Sequence, residues 1–226
     1  MAKLNTAVLI SGRGSNMQAL IDACAEESYP AQIVLVLSNV PQAGGLALAR
    51  AANVASAAID HKAFTGREDF EDAVHDALVA SGAELVCLAG FMRLLTERFV
   101  SRWWNRLINI HPSLLPAFRG LDTHERVIEY GARFTGCTVH FVRPAMDDGP
   151  IIVQAVVPVL ADDDAASLSA RVLVEEHQIY PMAVRMIAES RVEVINERVI
   201  VRAASSPRGG LINPTLHRPT LHPKAQ

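Results

Sequence analysis

Residues 7–24 read AVLISGRGSNMQALIDAC and combine a strand, a turn and a helix in immediate succession. The apolar run 7–10 is typical of a buried strand, and it ends at the polar, glycine-rich residues 11–14. Beyond the turn, apolar side chains return at helical spacing at Met17, Leu20, Ile21 and Cys24. A strand that leads directly into a helix is the first unit of an α/β fold.

The same alternation continues through the first half of the chain. Residues 33–37 form an unbroken apolar run, which is typical of a strand covered on both faces. Weaker strand patterns at 55–59 and 84–89 follow helical patterns at 46–52 and 67–81. Strands separated by helices predict a parallel sheet with right-handed crossovers. We therefore expect a three-layer, Rossmann-like α/β fold.

The second half predicts an antiparallel end to this sheet. A strand at 106–111 ends at a proline, and the patterns 136–142 and 151–157 are separated by only the eight residues 143–150. That connection is too short for a helical crossover, so the last two strands should be antiparallel. A helix at 123–130 precedes them.

The C-terminal part predicts a long helix, a hairpin and a tail. The helix begins at the three aspartates 162–164 and runs to about residue 189, and strands at 191–196 and 199–202 form the hairpin. Residues 203–226 are rich in proline and lack periodicity, so we expect a tail that is surface-lying or disordered. We expect one domain, residues 1–202.

The composition excludes several classes of protein. With 226 residues, 50% of them hydrophobic, and a net charge of −3, the chain is neither disordered nor strongly basic. Three cysteines do not make a disulfide scaffold, and no metal-ligand spacing occurs. There is no apolar run of about 18 residues and no signal peptide. We expect a cytoplasmic protein that binds neither nucleic acid nor a membrane.

The turn at 11–16 is the first candidate site. Small residues between a strand and a helix let backbone amides approach an anion at the helix N-terminus. A dinucleotide fingerprint is incomplete because Met17 stands at its last position and Ser38 and Asn39 replace the ribose-binding acid. The turn therefore favours a single phosphate, although an ordinary tight turn explains the pattern equally well.

Asn109 and His111 form a sharper candidate. With a strand period of two they project from one face, about 6.6 Å apart, at the carboxyl end where α/β sheets bind ligands. An amide donor beside an imidazole suits stabilisation of an oxyanion together with proton transfer. Asp147, in the turn 147–150, is either a turn residue or a carboxylate that favours the protonated His111.

Five segments together carry a family resemblance: residues 8–16, 90–93, 109–116, 136–142 and 147–152. In this order and spacing, over roughly residues 5–200, the chain resembles the folate-dependent phosphoribosylglycinamide formyltransferases. The resemblance implies the formyltransferase fold. It also implies transfer of a formyl group from the co-substrate 10-formyltetrahydrofolate to the amine of glycinamide ribonucleotide, without a metal. We expect a monomer or a homodimer.

The resemblance also implies which residues form the site. It assigns Asn109, His111 and Asp147 to catalysis through a tetrahedral intermediate. It assigns glycinamide ribonucleotide to Gly14, Ser15, Asn16 and Glu176, although the helical pattern alone would place Glu176 at the solvated edge of an apolar face. It assigns the folate to Arg67, Met92, Arg93, Leu94, Leu95, Arg143, Pro144, Ala145, Met146 and Asp147.

Other functions remain as alternatives. A methionyl-tRNA formyltransferase should carry a further C-terminal domain, and a formyltetrahydrofolate hydrolase a further N-terminal one. We expect neither, because the first strand begins by residue 7 and only some 25 residues follow the last. A sugar-nucleotide formyltransferase matches the turn 11–16 less well. A dehydrogenase lacks its fingerprint, and a non-catalytic nucleotide-binding module is the hardest alternative to exclude.

Overall fold

The computed structural model describes residues 2–205 and 209–214. The strands are β1 (Leu4–Ile10), β2 (Ala31–Ser38), β3 (Ser56–Ala58), β4 (Leu85–Leu88), β5 (Leu107–His111), β6 (Phe134–Phe141), β7 (Ile151–Pro158), β8 (Val192–Ile195) and β9 (Arg198–Val201). The helices are α1 (Ser15–Ala25), α2 (Gly44–Ala51), α3 (Arg67–Ala80), α4 (Glu97–Arg102), α5 (Thr123–Tyr130) and α6 (Ala165–Ala188). No helix in this part of the chain is both long and apolar enough to cross a membrane.

Seven strands form the central sheet in the order β3-β2-β1-β4-β5-β6-β7. The pairs among β1 to β5 are parallel, and β6 and β7 continue the sheet in antiparallel pairs. This arrangement confirms the expected mostly parallel sheet with an antiparallel end. The hairpin of β8 and β9 forms a separate two-stranded sheet, as the pattern around residue 197 predicted.

Strand β1 shows why the sheet is covered on both faces. Its alternate residues enter different apolar clusters: Val8 and Ile10 pack with α1 and α6, whereas Ala7 and Leu9 pack with the layer of α3 and α4. All four side chains are fully buried. A strand with two buried faces must be apolar without interruption, which is the pattern that the sequence shows.

Helix α6 begins slightly later than the aspartates suggested. Asp164 is its N-cap and accepts a hydrogen bond from the Ser167 amide at 2.7 Å, so the first two aspartates lie before the helix. In the C-terminal half of the helix, the Tyr180 hydroxyl donates to the Leu88 carbonyl of β4 at 2.9 Å. This bond ties α6 to the centre of the sheet, next to the strands that carry the candidate site.

The tail begins on the surface in the part that the structure describes. Residues 209–211 are exposed, and the Asn213 amide donates to the carbonyls of Arg133 (2.6 Å) and Val159 (3.0 Å). Residues 206–208 and 215–226 lie outside the described part, so the expectation for the tail as a whole stays a prediction.

Candidate active site

Three neighbouring parallel strands end at one edge of the sheet and bring the candidate segments together. Leu9 of β1 pairs with Leu88 of β4, which pairs in turn with Asn109 of β5. The segments that follow β1 and β4 line a cavity of about 330 Å³, formed by residues 11–16 together with Ala89, Gly90 and Met92. The cavity therefore lies at the carboxyl edge, where open α/β sheets bind ligands.

The turn after β1 leaves the amino end of α1 open to a ligand. Gly14 is the N-cap, with a left-handed φ of 80°, and no side chain in the described part of the protein caps the helix. Ser15 and Asn16 are the first helical residues, so neither provides the cap that their residue types would allow. The first amides of a helix have no partner within it. They are therefore available to an anion, as the phosphate interpretation requires.

We expect Gly14→Ala to destabilise the protein through this turn. Alanine at this position would have to keep the left-handed φ. Its methyl group would lie 2.9 Å from the Gly45 Cα, so the backbone would have to move. The left-handed conformation alone costs about 1–2 kcal/mol, which should lower Tm by about 2–8 °C. Gly12→Ala is the control, because no atom of residues 2–205 and 209–214 lies within 4 Å of its added methyl group. Equal melting temperatures for the two variants would contradict this interpretation.

Glu176 lies on the buried face of α6 and not at a solvated edge. Its side chain is 6% exposed, and it accepts a hydrogen bond from the Asn16 amide at 2.6 Å, across 160 residues of sequence. Burial raises the pKa of the Glu176 carboxyl, and the bond from Asn16 opposes that shift. The other atom of the same amide, Asn16 Oδ1, is buried and has no hydrogen-bond partner among the residues that the structure describes. A buried acceptor of this kind suits contact with a ligand donor.

We expect Glu176→Gln to stabilise the protein near pH 7 but not near pH 4. The unfolded carboxyl loses its proton near its ordinary pKa of 4.5, whereas the folded one keeps it to higher pH. Between the unfolded and the folded pKa, unfolding therefore releases a proton. The stability of the native chain falls as the pH rises through this range. Glutamine cannot ionise and still accepts from Asn16.

Melting temperatures at the two pH values test this prediction. Glu175→Gln, on the neighbouring half-buried residue, is the control. The interpretation is contradicted if Glu176→Gln changes Tm equally at both pH values.

The second cluster joins β5 to the loop between β6 and β7. The Asp147 carboxylate lies 3.5 Å from His111 Nδ1 and accepts a hydrogen bond from the Gly120 amide at 2.9 Å. Asp147 adopts a left-handed φ of 51°, which aspartate tolerates better than most residues. The structure thus brings together two side chains that sequence spacing alone could not connect.

His140 belongs to this cluster, and the sequence analysis missed it. It lies opposite Asn109 in the antiparallel pair of β5 and β6, with His140 Nε2 3.3 Å from Asn109 Nδ2 and 3.9 Å from Asp147 Oδ1. Burial lowers the pKa of His140, which favours the neutral ring. Strand periodicity shows which face of β6 carries His140, but it does not show that β6 pairs with β5.

The tautomer of His140 fixes the orientation of Asn109. His140 Nδ1 lies 2.9 Å from the Phe141 carbonyl, which only accepts, so Nδ1 carries the hydrogen. His140 Nε2 is then an acceptor and takes one hydrogen of the Asn109 amide. The second hydrogen of that amide remains available as a donor to a substrate.

His111 faces two acceptors. Its Nε2 lies 3.0 Å from the Phe118 carbonyl, and its Nδ1 faces the Asp147 carboxylate. A hydrogen on each ring nitrogen would satisfy both neighbours, whereas the neutral ring can donate to only one of them. His111 is 5% exposed, so electrostatic interactions within the cluster are largely shielded from water.

The segment 92–95 is fixed to the turn at 11–16. Ser11 Oγ accepts from the Met92 amide at 2.8 Å and donates to Asn39 Oδ1 at 2.5 Å. The side chains of Met92, Leu94 and Met146 are at least half exposed, at 67%, 60% and 50%. Met92 lines the cavity, and an exposed apolar side chain beside a polar site suits the flat ring system of a folate.

Two predicted folate residues lie differently. Arg67 is exposed at the first position of α3, and no contact in the described part of the chain brings it to the cavity. The guanidinium of Arg143 is engaged by protein groups, among them Glu197 and Asn105. The assignment of these residues to folate stays a prediction.

Comparison with known proteins shows what the chain resembles. Residues 4–184 match the protein family described as Formyl transferase. The chain is 39% identical over 207 residues to a phosphoribosylglycinamide formyltransferase of Haemophilus influenzae, covering 92% of this chain and 98% of that protein. A solved structure, glycinamide ribonucleotide transformylase 1 from Symbiobacterium toebii, superposes with a TM-score of 0.86 at 45% identity and covers 88% of this chain and 94% of that one.

A longer human protein contains a similar segment. The trifunctional purine biosynthetic protein adenosine-3 of Homo sapiens is 46% identical over 192 residues, which is 85% of this chain but 19% of that protein. The chain thus spans about a fifth of the length of the human and bovine trifunctional proteins, 19% in each case.

Proposed function

Because the chain belongs to the formyl transferase family, we propose that it transfers a formyl group from 10-formyltetrahydrofolate to the amine of glycinamide ribonucleotide. The products are formylglycinamide ribonucleotide and tetrahydrofolate, in purine biosynthesis. The observation that supports this most strongly is the cluster of Asn109, His111 and Asp147 at the same sheet edge as an open helix N-terminus. We propose residues 1–202 as the catalytic domain.

The two substrates divide the site between them. The phosphate of glycinamide ribonucleotide meets the free amides of the turn at Gly14, Ser15 and Asn16, as an anion does at a helix N-terminus. Glu176, held by Asn16 at 2.6 Å, faces the glycinamide end of the same substrate. The folate lies against the segments 92–95 and 143–147, where the apolar residues Met92, Leu94 and Met146 are exposed. Holding both substrates in one cleft gives the entropic advantage of a near-attack geometry.

The reaction is a direct acyl transfer. The lone pair of the substrate amine attacks the formyl carbon, and the carbonyl electrons move onto the formyl oxygen to give a tetrahedral intermediate. When the carbonyl re-forms, the bond to the folate nitrogen breaks, and the proton released by the amine passes to that nitrogen. This sequence requires no covalent bond to the enzyme and no metal.

The side chains act on the charge and on the proton. The free hydrogen of the Asn109 amide donates to the developing oxyanion, and the positive charge of a protonated His111 stabilises it electrostatically. Asp147 stabilises the imidazolium, from which it is separated by 3.5 Å. The same carboxylate orients the water that carries the proton from the amine to the folate nitrogen.

Substrate dependence of folate release tests the proposal. The purified chain is incubated with a 10-formylfolate, and release of the deformylated folate is followed with and without glycinamide ribonucleotide. We expect release that depends on the ribonucleotide. Release only with methionyl-tRNA or an amino sugar nucleotide as acceptor would contradict the proposal, and binding without release would favour a non-catalytic module.

A further inference from the structure

Arg143 is a buried arginine at the start of the loop that carries Asp147. It is 8% exposed, and a buried guanidinium must be paired to be tolerated. Its Nε donates to Glu197 Oε2 at 2.6 Å, and its Nη2 donates to Glu197 Oε1 at 3.3 Å and to Asn105 Oδ1 at 2.8 Å. The guanidinium lies 3.8 Å from the centre of the Trp104 ring. A two-point contact of this kind fixes orientation as well as distance.

The carboxylate that holds Arg143 comes from the turn of the C-terminal hairpin. Asn196 and Glu197 form that turn, with left-handed φ values of 49° and 56°. The hairpin itself packs against the main apolar cluster through Val192, Val194, Val199 and Val201. The packing of the hairpin therefore supports the turn. The turn places Glu197 against Arg143, 54 positions earlier in the chain.

The segment 143–147 is held at its two ends. Arg143 anchors the first residue, and the last, Asp147, is bound to the Gly120 amide at 2.9 Å. Between them, Pro144, Ala145 and Met146 are exposed and have no polar side-chain group that could hold them. The position of Asp147 against His111 therefore depends on both anchors, and the hairpin supplies one of them.

We propose that Glu197 is a positioning residue of the active site, which acts through Arg143 to fix the segment 143–147 and hence Asp147. This inference rests on the proposed function. It also reinterprets Arg143, whose guanidinium supports the folate segment from within the protein and is not directed at the folate. Loss of the anchor should disturb the chemistry more than the fold, because Glu197 is itself largely exposed, with 58% of its side chain accessible.

A graded series of variants tests the proposal. Glu197→Ala removes both bonds to Arg143, and Glu197→Gln keeps one neutral acceptor. The control is Glu193→Ala, which breaks the pair of Glu193 with Arg202 at 2.7 Å in the same hairpin, away from the loop. We expect Glu197→Ala to lower kcat/KM for the formyl folate roughly 10-fold, as displaced catalytic groups do. Glu197→Gln should lie between, and the KM for glycinamide ribonucleotide should not change.

A second measurement does not depend on activity. The nitrogen and ring-proton resonances of His111, assigned with a His111→Asn variant, should shift in Glu197→Ala and not in Glu193→Ala. If the native chain transfers no formyl group, the proposed function fails, and the His111 resonances still decide whether Glu197 positions the cluster. The positioning role is overturned if Glu197→Ala leaves both kcat/KM and the His111 resonances unchanged. It is also overturned if Glu193→Ala has the same effects. The same holds if the fall in kcat/KM of Glu197→Ala is no larger than the loss of folded protein that its Tm indicates.

Discussion

Asn109→Ala is expected to lower kcat for formyl transfer by roughly 10²- to 10³-fold, which is the effect of removing one oxyanion donor. One hydrogen of the Asn109 amide is taken by His140 Nε2 at 3.3 Å, so the other is fixed in direction before substrate arrives. A donor that is oriented in advance stabilises the charge that develops on the formyl oxygen and is not present in the ground state. The KM values should therefore change much less than kcat.

The control for this variant is Asn5→Ala, an asparagine at the opposite end of the sheet that bonds Gln32 and the Gly82 carbonyl. It should keep full activity. Asn109→Ala leaves His140 without a donor, so a modest fall in Tm accompanies the loss of rate. Full formyl transfer by a folded Asn109→Ala protein would show that another group stabilises the oxyanion.

Asp147→Asn is expected to abolish most of the activity while the protein remains folded. Asparagine tolerates the left-handed φ of 51° and can still accept from the Gly120 amide. It carries no charge, so it neither stabilises a protonated His111 nor assists the proton relay. Loss of a positioned acid–base group lowers the rate roughly 10²- to 10⁴-fold. Initial rates across a range of pH, with Tm measured in parallel, check this result.

The neighbouring residue provides the control. Asp148→Asn removes an equal charge, but Asp148 pairs with Arg119 on the surface, with 47% of its side chain exposed. An exposed pair contributes little, so this variant should retain activity. If Asp147→Asn keeps the native rate at every pH, the coupling of Asp147 to His111 has no catalytic role.

The central fold could be predicted because its strands are decided locally. The run 7–10 must be buried on both faces, and the eight residues 143–150 are too few for a crossover helix, so composition and length sufficed. Helix α4 was not predicted. It has only six residues, and its N-cap Thr96 is held by the buried Glu71, a tertiary contact that no local pattern reveals.

The site was predictable only where its residues share a strand or a turn. Asn109 and His111 lie two positions apart on β5, so period two placed them together. Glu176 meets Asn16 across 160 residues, and the buried face of α6 that carries it is fixed by packing against the sheet. The helical pattern alone placed Glu176 at a solvated edge, and the family resemblance was needed to identify it.

His140 and Glu197 show what remains beyond such patterns. His140 faces Asn109 only because β6 pairs with β5 in one particular register, which strand periodicity does not determine. Glu197 reaches Arg143 from a hairpin turn whose own pattern is typical of an exposed loop. In both cases the information lies in strand pairing and packing, and not in the neighbouring sequence.

The fate of the formyl carbon tests the central proposal most directly. The chain is given glycinamide ribonucleotide and a 10-formyltetrahydrofolate that is labelled in the formyl group, and the labelled products are identified by mass spectrometry. We predict that the label appears in formylglycinamide ribonucleotide in equal amount to the tetrahydrofolate released. Label recovered as formate, at a rate that does not depend on the ribonucleotide, would contradict a transferase and indicate a hydrolase.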